Sequence, residues 1–220
     1  MIRNPRPFLP FFLVFAIACC GLALPAAAAG GFDDGKLDAG WFGNGLEFRE
    51  ADEIDYLWVK PGFGFDGKKV AFSAWEEANF LGEDAGKRDA KDKRLANDLT
   101  GEMPGIFAEA FKNALGGKVT VVDSGANLKA VGRIVDCSTG SAAAKFWVGM
   151  GAGSGNTTFD LKFVDAKSGE VVVAIHHRVV SGTNLSTTSS KLVDWVDEFA
   201  ENVGKKGIET LYKKGKRVKD

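Results

Sequence analysis

Thr157-Thr158-Phe159-Asp160-Leu161-Lys162-Phe163-Val164-Asp165, then Ala166-Lys167-Ser168-Gly169, then Glu170-Val171-Val172-Val173-Ala174-Ile175-His176-His177-Arg178-Val179-Val180 is the stretch on which the fold turns. In its first part Phe159, Leu161 and Phe163 alternate with Asp160 and Lys162. A period of two puts the aromatics on one face of a strand and the charges on the other. The last part is rich in Val and Ile, as a second strand is. Between them Gly169 is free to take the positive φ of a tight turn with a bulge. The stretch therefore predicts an antiparallel hairpin with one apolar face.

Working outward, Val119–Val122 and Leu128–Asp136 read as further strands, as do Tyr56–Val59 and Lys68–Trp75. Pro61 and its neighbouring glycines separate the last two. Leu95, Leu99, Met103, Ile106, Phe107, Ala110, Phe111 and Ala114 recur every three or four residues and predict a helix from Leu95 onward. Pro104 predicts a kink or restart in it, and Gly116 and Gly117 its end. A second stripe, Leu192, Trp195, Val196, Phe199, Val203, Ile208 and Leu211, predicts a helix from about Leu192 to Tyr212, capped by Ser189 or Ser190. The expected fold is α+β: a mostly antiparallel or mixed sheet of about five strands, with two helices packed on one face. The other face, with Asp160, Lys162 and one histidine, is expected to be the open surface.

The start of the chain decides its expected compartment. Arg3 and Arg6 precede an apolar run from Phe8 to Leu24, then Pro25 and four alanines. Basic, apolar, helix-breaking, small is the order of a secretory signal peptide. Ala27 and Ala29 fit the small-residue pocket of the peptidase, with cleavage before Gly30. The run is short for a membrane span of about 20 residues. An alternative is a lipoprotein route, since Ala16, Ile17 and Ala18 precede Cys19 as in a loose lipobox. The expected organisation is a signal peptide over 1–29, a Gly- and Asp-rich, loosely ordered lead-in over 30–55, one α/β domain over 56–212, and a basic tail over 213–220. Losing the first 29 residues removes two of 28 basic residues and no acids, so the net charge moves from −1 to −3. Such a domain has no electrostatic case for nucleic acid as a partner.

No constellation of residues rises to a catalytic, cofactor or metal site. In Gly149-Met150-Gly151-Ala152-Gly153-Ser154-Gly155 the dinucleotide spacing needs Gly at 154 and finds Ser154, and no Lys-Ser or Lys-Thr follows. The segment reads as a link into a strand. His176 and His177 are adjacent in a strand and point to opposite faces, so they cannot share one metal in the usual way; one is expected exposed and one half-buried. Cys137 reads as a small core residue. Glu76, Glu77, Asp194, Asp197 and Glu198 read as solvated acids. No Ser sits in a Gly-x-Ser-x-Gly elbow, and Ser186 to Ser190 reads as a polar loop before a helix.

The stretch from Val131 to Val173 carries one resemblance. Val131-Gly132-Arg133-Ile134-Val135-Asp136 leads through small residues to Phe146. Val148-Gly149-Met150-Gly151-Ala152-Gly153-Ser154-Gly155 and Phe159 to Val172 follow, the latter with Val164-Asp165-Ala166-x-x-Gly169-Glu170. This resembles the bacterial domain-of-unknown-function family 4410. Trp58-Val59-Lys60-Pro61-Gly62-Phe63 is similar to a related envelope family of unknown function. The resemblance spans most of 56–212, with a specific core of about a quarter of the chain. It implies a helix before the sheet, a periplasmic or envelope location and no known activity, so no catalytic residue carries over. The expected function is an exported, non-enzymatic binding or assembly module whose partner is a protein or an envelope polymer. Membrane contact is expected only through a lipid on Cys19 or through the basic tail. The alternative is a periplasmic hydrolase with a site assembled from sequence-distant residues.

Overall fold

The hairpin forms as its alternation dictates. The structure, a computed structural model, describes residues 36–140, 154–181 and 187–217. Strands β6 (Asn156–Asp165) and β7 (Val171–Val180) pair antiparallel, with Phe163 opposite Val173 and Phe159 opposite His177. Gly169 closes the turn at φ 76°. Asp165 Oδ1 accepts from the backbone N–H of Lys167 and Ser168 and from the Ser168 hydroxyl, which satisfies the turn.

Around this pair the described residues build one eight-stranded sheet. The other strands are β1 (Arg49–Ala51), β2 (Ile54–Val59), β3 (Lys68–Phe72), β4 (Val119–Val121), β5 (Leu128–Ser138) and β8 (Tyr212–Arg217). Their order is β4-β3-β5-β6-β7-β2-β1-β8. β3 runs parallel to both β4 and β5, and every other pairing is antiparallel. The sheet is thus mixed, as expected, but larger than five strands. Six of the eight strands coincide with segments read as strands; the other two, β1 and β8, come from segments read as irregular. β1 has only three residues and meets β2 through a tight turn in which Glu53 takes a φ of 56°. β8 lies in the expected basic tail, where Lys213 pairs with Glu50 on β1 at 2.7 Å. Neither segment alternates in hydropathy, so neither shows the period of a strand.

The helices are α1 (Ala39–Phe42), α2 (Ala90–Leu115) and α3 (Thr188–Lys206). α2 starts five residues before the expected Leu95, because Asp89 caps it and Asp92 returns the bond in a capping box. It runs unbroken through Pro104. Leu99 and Met103 on one side of the proline and Phe107 and Phe111 on the other are all buried. That burial holds both halves of the helix to one surface and outweighs the roughly 3 kcal/mol that an interior proline costs. α3 is capped by Thr187, with Ser190 as its box partner, and stops at Gly207 at φ 84°. Ile208–Leu211 then form a 3-10 turn, so the expected helix to Tyr212 is six residues too long.

α2 and α3 lie together on one face, where the buried rings interlock. Phe111 stacks on Phe163 at 5.8 Å, Trp195 meets Phe159 edge-on at 5.1 Å, and Phe199 lies parallel to Trp195 at 5.3 Å. Trp75 reaches this layer because Gly132 has no side chain; a Cβ there would overlap the indole. Gly204 likewise lets α3 approach the backbone of Ala114 at the end of α2.

Two substitutions test this layer by urea unfolding. Phe199→Ala removes a ring that is 3% exposed and is expected to cost about 3–5 kcal/mol. Gly132→Ala forces Trp75 off the strand and is expected to cost about 1–3 kcal/mol. A midpoint unchanged from the wild type in either variant would show that the side chain lies elsewhere.

Candidate functional site

The face turned away from α2 and α3 is roofed. Residues 36–48, the described part of the expected lead-in that precedes β1, cross it as a strap that carries α1. Phe42 on the strap is 2% exposed and meets Trp41 and Phe48 edge-on at 4.8 and 5.2 Å. Lys162 Nζ lies 3.8 Å from the Trp41 ring centre and donates to the Trp41 carbonyl at 2.8 Å. The Arg133 guanidinium lies 4.6 Å from the same ring, and the indole N–H donates to Glu76 at 2.8 Å. Two cation–π contacts and two hydrogen bonds fix Trp41. The lead-in is therefore ordered in this part, a correction to the expectation. An aromatic pair inside a Gly- and Asp-rich stretch was the signal for it.

Beneath the strap lies a charged cluster that spans three adjacent strands. Asp160 on β6 is fully buried. Its Oδ2 accepts from Arg133 Nε on β5 at 2.8 Å, and its Oδ1 lies 2.6 Å from His176 Nδ1 on β7. Arg133 also reaches Asp38 of the strap at 3.1 Å. Tyr56 on β2 closes the row with its ring edge-on to His176 at 5.5 Å. The expectation of an open surface at Asp160 and His176 is therefore wrong. Alternation assigns a residue to a face but says nothing of what covers that face. Burial also pushes the Lys162 ammonium below its usual range.

The two histidines do point to opposite faces, and neither is exposed, against the expected exposed and half-buried pair. His177 is 8% exposed and lies on the helix side. Its ring stacks on Trp195 at 4.7 Å, and its Nδ1 is 3.0 Å from Asp55 Oδ2. Asp55 also accepts from the backbone N–H of Arg178 at 2.9 Å.

A further ion pair sits at the far end of β5. Arg88 grips buried Asp136 with both ends of its guanidinium, at 2.8 and 2.6 Å, in the bidentate geometry that suits a carboxylate. Neither residue stood out in the sequence. Cys137 beside it is buried, lies 3.6 Å from the Thr157 hydroxyl, and is pushed up to about 11 chiefly by burial. The acids read as solvated keep mostly local roles. Glu76 holds Trp41, and Asp194 pairs with Lys191 at 2.9 Å in the first turns of α3.

Residues 149–153 of the glycine segment, Cys19 and the signal region, and Ser186 lie outside the described residues. Gly155 is described and closely packed: a Cβ there would collide with Thr188 and Ser138, and its N–H donates to Ser181 Oγ at 2.9 Å.

Two expected outcomes follow from this geometry. Asp160→Ala leaves Arg133 and His176 buried without their carboxylate and is expected to lower stability by about 3–5 kcal/mol, the cost of breaking a buried pair from one side. A change of only a few tenths, the surface norm, would place Asp160 in water. Second, only a thiolate attacks a disulfide reagent. In a chain beginning at Gly30, Cys137 is expected to stay unmodified by Ellman's reagent at about pH 8 while folded and to react fully in guanidinium. Rapid labelling of the folded protein would contradict its burial.

No curated protein matches this chain. Solved structures do, at low identity. The PelC dodecamer from Paraburkholderia phytofirmans is 12% identical, with 67% of this chain and 94% of that chain covered at a TM-score of 0.45. Protein XCC0632 from Xanthomonas campestris, described by the family DUF330, is 11% identical, with 70% and 89% covered at 0.43. Residues 83–181, from the approach to α2 through β7, match the family model "Domain of unknown function (DUF4410)", the family whose pattern the sequence resembles.

Proposed function

We propose that this protein is exported to the periplasm or cell envelope, where its mature domain works by binding a partner, a protein or an envelope polymer, rather than by chemistry of its own. One observation carries the second half of this reading. Among the described residues, the two histidines and the cysteine that a hydrolase could use are each engaged by neighbours inside the fold. His176 is closed in with Asp160 and Arg133 under the strap. His177 lies beneath Trp195, and Cys137 is held as the neutral thiol. A general base must reach the proton it abstracts, and a cysteine attacks as its thiolate. The export half rests on Arg3, Arg6, the apolar run to Leu24 and the alanines before Gly30. A lipid anchor at Cys19 is the competing form of the same reading.

The hydrolase alternative keeps one specific foothold, the His177–Asp55 pair. Its imidazole Nδ1 lies 3.0 Å from the Asp55 carboxylate and 3.3 Å from the Asp55 N–H, and its acid side chain is 17% exposed.

Cell fractionation followed by intact-mass measurement tests the export reading. The expected product is an envelope-fraction protein whose mass begins at Gly30. A diacylglyceryl mass on Cys19 would move it to a membrane face, and an uncut chain in the cytoplasm would overturn export. Ester, phosphoester and peptide substrates test the rest. No turnover is expected, and turnover that His177→Gln abolishes would replace the binding reading with the hydrolase one.

A further inference from the structure

Four of the five tryptophans fall among the described residues, and three are tied down. Trp41 is gripped by Lys162, Arg133 and Glu76. Trp75 packs between Phe107 and Phe159, each at 6.0 Å. Trp195 stacks on His177 and Phe199 and donates its N–H to the Glu53 carbonyl at 2.6 Å. Trp58 on β2 differs. It is half-buried, and among the described residues its indole has neither a ring contact nor a hydrogen bond. An aromatic surface held this way has a structural duty only if something lies on it.

What lies in front of it is a cleft of about 470 Å³, within the range of small-molecule sites. Its walls come from segments far apart in the chain. The strap brings Glu47, β1 brings Arg49 and β2 brings Trp58. Pro61 follows β2, Glu209 sits in the 3-10 turn after α3, and Tyr212 opens β8. This corner is pinned before any ligand arrives. The Val59 N–H donates to Tyr212 Oη at 2.7 Å, the Gly62 N–H donates to Glu209 Oε1 at 2.9 Å, and Arg49 lies over the Tyr212 ring at 5.3 Å. Burial pushes the Tyr212 phenol up, so it stays a neutral hydroxyl.

We infer that this cleft is a saccharide-binding site, in which a sugar ring lies on the Trp58 indole and its hydroxyls bond to Glu47, Arg49 and Glu209. The lining selects that class. A pyranose offers a C–H face that needs an aromatic plane, and a rim of hydroxyls that both donate and accept. Trp58 supplies the plane; the carboxylates accept and the guanidinium donates. A protein side chain fits worse, because the cores of protein interfaces are depleted in Glu, and here Glu47 and Glu209 stand on the walls. The inference rests on the binding reading above and names its ligand as the polymer rather than the protein.

The test uses the mature protein purified from the envelope, titrated separately with maltotetraose, cellotetraose and tetra-N-acetylchitotetraose by calorimetry and tryptophan fluorescence. At least one sugar is expected to bind saturably at millimolar concentration. Trp58→Ala is expected to weaken it about tenfold or more, an energy near that of one good aromatic contact. Trp58→Phe, which keeps a ring and loses the N–H, should weaken it less. Thermal unfolding of each variant shows whether the domain is intact, and Glu209→Gln is a second variant that leaves the indole in place. If none of the three sugars binds the wild type, or if binding survives in both Trp58→Ala and Glu209→Gln, the saccharide inference is overturned. A protein partner crosslinked at the cleft in place of sugar would overturn it too while leaving the binding reading standing. Cleavage of the sugar would instead remove the binding reading.

Discussion

The Asp160 carboxylate lies at the centre of an eight-stranded sheet with no exposed surface, and the face opposite the helices is organised around it. An ionised carboxylate out of water is tolerated only when its oxygens are paired and hydrogen-bonded. Arg133 and His176 do this from the two neighbouring strands. Arg133 still has guanidinium N–H donors to satisfy and needs cover of its own, and the strap provides both through the Asp38 carboxylate and the Trp41 ring. The strap is thus part of the electrostatics of the sheet and not a loose leader. The dependence runs both ways. Excluding water lowers the local dielectric and strengthens each contact beneath the roof, while an opening of the roof would hydrate the cluster and weaken them together.

The two faces differ in kind. The helix side is closed by apolar stripes and interlocked rings, a non-directional force that tolerates adjustment. The strap side is closed by about a dozen residues that make directional contacts. This division explains what the sequence made legible. The hairpin, the two helical stripes and the side on which each residue of β6 falls all follow from periodicity. β1, β8 and α1 do not, because Arg49–Ala51 and Tyr212–Arg217 are mostly charged runs without apolar alternation and α1 is a single turn, and their order comes from long-range partners. Lys213 meets Glu50 across 163 residues, and Arg133 meets Asp38 across 95. The expected open surface failed for the same reason, since the strap that covers Asp160 lies more than a hundred residues before it.

The cleft at Trp58 was beyond the sequence on similar grounds. Trp58-Val59-Lys60-Pro61-Gly62-Phe63 marked a strand end and a turn, and nothing local says that Glu209 and Tyr212 arrive beside it. Composition gives only half of such a site. An exposed-side aromatic on a strand is ordinary until the fold shows which rings already have partners, and that contrast among the four described tryptophans exists only in three dimensions.

The polar row also constrains the pairing of the sheet. Arg133, Asp160, His176 and Tyr56 come from four neighbouring strands and stand in register: Arg133 opposite Asp160, Asp160 opposite His176, His176 opposite Tyr56. A slip of one residue in any strand would turn its member of the row toward the helix layer and bring a neighbour such as Ile134, Phe159, Ile175 or Leu57 into the charged cluster. An apolar row of equal volume would hold the sheet together as well or better, because buried ion pairs add little net stability. What the charged row adds is a large penalty for every wrong alignment. β5 exploits this further. A bulge between Ile134 and Asp136 inserts one residue, so that Asp136 stands opposite Thr158 on the side of Asp160 and meets Arg88. With regular pairing from Ile134 onward Asp136 would stand opposite Thr157 and turn to the helix side, away from Arg88. The bulge is therefore required by the second buried ion pair, as the strap is required by the first.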